Sequence, residues 1–219
     1  MEQISVLPIR VLVASVLRKA ILSGNYSEGQ DLSLTEVSKE LGVSRTPVRE
    51  AFQALASEGL LTLHMNRGAT VNGINEEFVR DHFELRIALE AEAVYLACSR
   101  GGDISELLKL QESYENRTGL LDYSTYNEKF HLMLWTLSGN RRLKELLTTL
   151  WNGPSRARHD KGYEHERLSV EEHRRVLDAL LLKDCNRAAE QMRKHIERSM
   201  DNVLGDFRNS FKGSDVVPS

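Results

Sequence analysis

The stretch from residue 32 to residue 71 constrains this chain most, because two helix starts stand almost back to back there and a short hairpin follows. Ser33 with Glu36 makes a capping box, and Leu32 and Val37 occupy the flanking apolar positions that fix how the chain enters a helix. Gly42 ends that helix. Ser44 is the next N-cap candidate, Val43 and Val48 repeat the flanking pair, and Pro47 falls in the first turn, where its missing N–H costs little. The helix so begun runs to about Glu58. Gly59 breaks it, and 60–63 and 69–71 read as two strands around the turn 64–68. An earlier helix starts after Pro8, carries Val11, Leu12, Val16, Leu17, Ala20 and Ile21 on one face, and stops near Gly24; 25–31 reads as a turn.

Two helices joined by a tight turn and followed by a small hairpin describe a winged helix-turn-helix, whose second helix enters the major groove of DNA. On that helix Val48, Ala51, Phe52 and Leu55 share one face, while Arg45, Arg49 and Gln53 run at i, i+4 and i+8 on the adjoining face with Thr46 beside them. Arginine pairs with guanine O6 and N7, glutamine pairs with adenine, and Ser44 at the first turn lies where backbone N–H groups meet a phosphate. Arg67 and Gly68 at the hairpin complete the candidate DNA-binding set, reaching the backbone or minor groove. Two arginines alone would suit any solvated face; the capped helices and the hairpin favour duplex DNA. Charge sets a limit. Residues 1–72 hold seven basic and seven acidic residues, and the whole chain carries −3, so weak binding to random DNA and dependence on two paired half-sites are expected.

The 219 residues, 41% hydrophobic and 28% charged, suffice for real cores and exclude collagenous or wholly disordered classes. From residue 75 onward only helical periodicity occurs, with helices near 75–99, 103–117, 123–138, 141–151, 170–182 and 185–208. Asn75, Asp103, Asn140 and Asp184 are capping candidates, and Ser169 with Glu172 reads as a second capping box. The connection 152–168 reads as a polar loop. The fold class is mainly α: a winged helix-turn-helix at 1–73, an all-helical domain at 74–209, and a flexible tail at 210–219. No run of apolar residues suits a bilayer and no secretory signal opens the chain, so a cytoplasmic protein with no membrane partner is expected. Cys98 and Cys185 are expected to be small buried hydrophobes; a redox-sensor reading lacks short spacing or positive neighbours.

The run Gly42-Val43-Ser44-Arg45-Thr46-Pro47-Val48-Arg49-Glu50-Ala51, with Leu55, Glu58-Gly59-Leu60, Arg67-Gly68 and Val71, resembles the GntR superfamily of bacterial transcription regulators. Glu84-Leu85-Arg86, Leu89-Glu90, Phe130-His131, Ser138-Gly139-Asn140, Glu172-His173, Ala188 and His195 resemble its FadR branch, which has an all-helical FCD-type effector domain. The resemblance implies a homodimeric repressor or activator whose affinity for operator DNA changes when a small organic-acid effector binds.

Asn127 and His131 are i, i+4 neighbours on one helix face, and His173 and His195 lie on two further helices. Singly, each histidine suits a surface or hydrogen-bonded core position. As a set they match the metal site that the resemblance implies, with Asn127 where many relatives have Asp, which removes one anionic ligand. Three neutral imidazoles suit a divalent ion such as Zn²⁺ or Ni²⁺, with open positions for a carboxylate. Arg86 is a candidate to bind an anionic effector; the alternative is an i, i+4 pair with Glu90. His64, His82, His159 and His165 are expected to be solvated. The dipeptide His159-Asp160 raises a different class, a helical metal-dependent phosphohydrolase, which leaves the DNA-binding unit unexplained. No enzyme activity is expected.

Overall fold

The computed structural model describes residues 8–22, 25–65, 68–116, 122–151 and 162–212. They fall into two compact units, one ending at Asn75 and the other beginning at Glu76.

The first unit contains α1 (Ile9–Leu22), β1 (Asp31–Ser33), α2 (Leu34–Glu40), α3 (Arg45–Ser57), β2 (Leu61–His64) and β3 (Gly68–Val71). Ser33 caps α2, its hydroxyl accepting from the N–H groups of Thr35 and Glu36. Gly42 then turns the chain at φ +65°, a conformation that costs glycine nothing, and α3 starts three residues later. Ser44 sits at its N-cap without a side-chain capping bond. Leu17, Ile21, Val37, Val48, Phe52, Leu55 and Leu60 are buried, each contributing about 1.5–3 kcal/mol through lost contact with water. Arg18 donates to both carboxylate oxygens of Glu58, at 2.7 and 2.5 Å, and so ties α1 to the end of α3.

The wing is three-stranded, in the order β1-β3-β2, and all pairs are antiparallel. The hairpin of β2 and β3 was expected; β1 was not, since 25–31 reads as a turn. Three residues carry too little alternation to announce a strand, and Ser33 serves both as its last residue and as the cap of α2. Gly68 pairs with Ser33, and a Cβ there would lie 2.0 Å from the Leu32 carbonyl oxygen.

The second unit is helical: α4 (Glu76–Ser99), α5 (Ser105–Glu115), α6 (Tyr123–Leu137), α7 (Arg141–Trp151), α8 (Gly162–Leu181) and α9 (Cys185–Lys212). Helices α4 and α9 are antiparallel partners. The Arg208 guanidinium grips Glu76 at one end, at 2.8 Å to each oxygen, and Cys98 lies beside Cys185 at the other. Asp122, Asn140 and Asp184 cap α6, α7 and α9 through their side-chain oxygens, and Asp103 accepts from the Ser105 N–H. Ala93, Trp135, Leu143, Leu147 and Trp151 form an apolar cluster where α4, α6 and α7 meet.

Three expectations are corrected here. Helix α8 begins at Gly162, so Ser169 and Glu172 are interior residues rather than a capping box; Ser169 is buried and accepts from Arg198. Helix α9 continues to Lys212, through part of the expected tail; 213–219 lie outside the described residues. The cysteines are only half-buried, and they are bonded to each other, with Cα atoms 5.4 Å apart, inside the usual disulfide range.

Candidate metal centre and DNA-facing helix

Helix α3 divides its residues cleanly. Val48, Ala51, Phe52 and Leu55 are buried against the first unit's core, and Ser44, Arg45, Thr46, Arg49 and Gln53 are all exposed. The long polar side chains therefore stand on a rigid helix with their ends in solvent. Arg67 lies outside the described residues. Gly68, at the start of β3, is buried, and its φ of +139° with the close Leu32 carbonyl gives it a structural reason to be glycine.

In the second unit, α6, α8 and α9 bring His131, His173 and His195 together, all buried, with one ring nitrogen of each within 4.8 Å of the others. Each ring is oriented by a partner on its Nδ1. The Nδ1 of His131 meets a Glu90 carboxylate oxygen at 2.5 Å, and that of His195 meets Glu172 at 2.7 Å. An ionised carboxylate only accepts, so both Nδ1 atoms carry the proton. For His173 the chain is longer. Gln111 donates its amide N–H groups to Glu115 and to the Val170 carbonyl, which turns its oxygen toward Tyr126. The Tyr126 hydroxyl donates to that oxygen at 2.5 Å and must accept from His173 Nδ1, 3.0 Å away.

The consequence is three imidazoles, each engaged at Nδ1, whose Nε2 atoms converge. His173 Nε2 and His195 Nε2 are 3.3 Å apart, and His131 Nε2 is buried without a hydrogen-bond partner among the described residues. Burial pushes His173 well below the usual histidine value, and the neighbouring His195, His131 and Arg198 push it the same way. Burial lowers His195 too, offset in part by its bond to Glu172. Asn127 Oδ1, on the α6 turn before His131, is likewise buried without a partner among the described residues. Converging imidazole lone pairs with an orphaned amide oxygen nearby are a donor set for a divalent cation, and carboxylates on the remote ring nitrogens are the usual support of histidine ligands.

Around the histidines lies a shell of charge. Glu90 accepts Arg86 Nε and Nη2 at 3.1 and 2.5 Å and also Trp135 Nε1 at 3.3 Å. Burial pushes the Glu90 carboxyl up, but His131 and Arg86 outweigh it and hold it well below the carboxylate range. Glu172 behaves alike: burial raises it, and the bonds from His195 and Arg198 bring it down to about 2. Arg86 is buried, with its guanidinium carbon 5.0 Å from the Trp151 ring centre and 5.5 Å from that of Phe83. Of the two readings for Arg86, the i, i+4 pair with Glu90 is the contact present.

Residues 81–198 match the FCD domain family, and residues 11–71 match the family of bacterial regulatory proteins described as gntR. The chain belongs to the GntR family of bacterial transcriptional regulators. A curated relative, the Nta operon transcriptional regulator of Aminobacter aminovorans, is 32% identical over 197 residues, covering 86% of this chain and 91% of its own. The transcriptional repressor GlaR of Escherichia coli is 28% identical over 196 residues, covering 82% and 89%. Among solved structures, McbR/YncC of E. coli shares the fold with a TM-score of 0.69 over 92% of this chain and all of that one, at 23% identity. These relatives and domains are those of regulators, not enzymes, so the phosphohydrolase alternative is set aside; His159 and Asp160 lie outside the described residues.

The remaining histidines of this GntR regulator correct the expectation of solvated roles in part. His64 is exposed and bonds Thr70 Oγ1 at 2.5 Å. His82 is half-buried and pushed down to about 3, by burial first and then by Arg86; one ring nitrogen bonds the Leu150 backbone and Nε2 has no partner among the described residues. His165 lies within α8, half-buried between Arg198 and Asn202. The orienting residues Glu90, Glu172, Tyr126 and Gln111 were not recognised as such in the sequence. Glu172 adjoins His173 and Tyr126 adjoins Asn127 in sequence, yet Glu172 partners His195 and Tyr126 partners His173. Among the described residues no helix is long and apolar enough to cross a membrane.

Proposed function

We propose that this GntR-family regulator is an operator-binding repressor, acting as a homodimer, whose affinity for DNA changes when a small organic acid binds at a divalent metal in the helical unit. The observation that carries the reading is the convergence of three imidazole Nε2 lone pairs whose Nδ1 protons are all engaged elsewhere. His131, His173 and His195 would hold the ion, Zn²⁺ or Ni²⁺ by the preference of imidazole donors, with the Asn127 oxygen as a weaker neutral donor. Once bound, such an ion supplies a positive charge and open positions for a carboxylate oxygen.

The chain's own residues do the rest. Glu90, Glu172 and Tyr126 fix ring orientation and keep the lone pairs turned inward. Arg86 adds positive charge close by and favours an anionic effector, its Nε and Nη2 remaining on Glu90. Arg45, Thr46, Arg49 and Gln53 read base edges, Ser44 lies toward the phosphate backbone, and Arg67 supports them from the wing. Repression accords with the name of the E. coli relative. Operator DNA in bacteria lies in the cytoplasm, where this protein is placed accordingly.

The test begins with duplexes selected from a random pool by the purified protein. Zn²⁺-loaded and metal-stripped samples are then compared in mobility-shift and thermal-shift assays against a panel of small mono- and dicarboxylic acids. At least one acid is expected to raise the melting midpoint and release DNA only from the loaded sample. An acid that acts equally on stripped protein contradicts the metal-dependent reading.

A further inference from the structure

The bonded pair Cys98 and Cys185 has no part in the metal centre or in reading DNA. Cys98 is the next-to-last residue of α4, and Cys185 is the first of α9, set there by a tight turn in which Lys183 adopts φ +55° and the N–H groups of Lys183 and Asp184 return to the Leu180 and Ala179 carbonyls. Both are half-buried, so small reagents can reach them. The two are 87 residues apart in sequence, and they are the chain's only cysteines, so within one chain neither has another partner.

Two structural facts alter the weight of a redox role. Proximity, which sequence spacing did not suggest, is supplied by the antiparallel pairing of α4 with α9. A positive setting is supplied as well, because Cys185 opens a long helix at the positive end of its dipole, while the Asp184 carboxylate is occupied in capping the Arg187 N–H. A protein that reads bacterial DNA works where thiols are held reduced, and disulfides formed there are usually transient and redox-sensing.

We propose that Cys98 and Cys185 form a reversible dithiol–disulfide site through which a hydroperoxide, or a small-molecule disulfide, acts on the helical unit. In the hydroperoxide route the Cys185 thiolate attacks the peroxide oxygen and becomes a sulfenic acid, releasing hydroxide or the corresponding alkoxide. The Cys98 thiol then attacks that sulfur, the S–S bond forms, and water leaves with the Cys98 proton. Two electrons pass from the two sulfurs to the peroxide. A small thiol reverses the change by exchange through a mixed disulfide. Closing the bond fastens the α4–α9 pair at the end opposite the Arg208–Glu76 contact, and so constrains the two helices that carry Glu90 and His195.

The experiment uses full-length, metal-stripped protein, so that its outcome does not depend on the metal reading. Reduced protein is treated with one equivalent of hydrogen peroxide, quenched with iodoacetamide under denaturing conditions, and weighed intact. The expected result is loss of both alkylatable thiols in a monomeric chain, a rise in melting midpoint because the bridge restricts the unfolded chain, and return of both thiols in millimolar reduced glutathione. Cys98→Ser is expected to stop at the sulfenic acid, trapped by dimedone at Cys185. Thiols that stay free, bridges only between chains, no change in melting, or a bridge that survives glutathione in the native protein would each overturn the proposal.

Discussion

Glu90 lies 2.5 Å from His131 Nδ1 while its other oxygen takes two guanidinium N–H groups of Arg86. One buried carboxylate thus serves two functions: it neutralises a buried cation and it sets which nitrogen of a candidate ligand faces the other histidines. Glu90→Gln removes the charge with little change in shape. It leaves Arg86 as an uncompensated buried charge, a loss of about 3–5 kcal/mol, and it is expected to weaken metal affinity about 10–100-fold. Urea unfolding and metal titration of the variant check both. Glu172→Gln is expected to weaken metal similarly and cost less stability, because Arg198 is partly exposed and retains Ser169.

The buried histidines give the metal-free protein a definite acid response. His82, His173 and His195 are all held below the ordinary histidine value in the folded protein, whereas the unfolded chain protonates them near 6.5. Below that value the unfolded state binds more protons, so stability present above about pH 6.5 falls as pH drops, by up to about 1.4 kcal/mol per unit for each histidine. Glu90 and Glu172, whose values are depressed, add their loss only below the carboxylate range. Stripped protein is therefore expected to melt at progressively lower temperature from pH 7 to pH 5. His82→Leu should flatten that slope by about one proton; a pH-independent midpoint would contradict the buried, neutral assignment.

On α3, Arg45 and Arg49 are exposed over a buried apolar face. Arg49→Ala is expected to cost about 1–3 kcal/mol of discrimination between selected operator and random duplex at fixed salt, with unchanged helical content. Fluorescence anisotropy on the two duplexes measures it. Equal discrimination by wild type and variant would remove Arg49 from the reading face.

Gly68→Ala places a Cβ against the Leu32 carbonyl at a φ that side chains avoid. Loss of folded first unit and of DNA binding is expected, with the helical unit's metal uptake retained. Gly29→Ala, where nothing lies within 4 Å but φ is +77°, should cost far less. Equal effects would show that the wing tolerates the close approach.

The parts legible in the sequence are those determined locally. Ser33, Gly42 and Pro47 announce α2 and α3 because caps and turns are decided by neighbouring residues, and the division of α3 into two faces follows from its period. Strand β1 was hidden by its brevity. Ser169 and Glu172 imitated a helix start, because Ser-x-x-Glu spacing carries no record that Arg198, from α9, claims both side chains. The three histidines were grouped by resemblance, not by spacing. Their orienting partners stayed unseen since His131 and Glu90 are 41 residues apart, and Tyr126 and His173 are 47 apart. The Cys98–Cys185 bond was hidden for the same reason.

The most direct test of the converging histidines is calorimetric titration of Zn²⁺ into chelator-stripped, tag-free protein at pH 7.5, repeated at pH 6 and with His173→Ala. One ion per chain is expected for the wild type, with affinity falling at the lower pH because imidazole ligands must be unprotonated, and no uptake is expected at the centre in His173→Ala. Wild-type protein that binds no ion at pH 7.5, or a variant that binds as tightly as wild type, would contradict a metal centre at His131, His173 and His195.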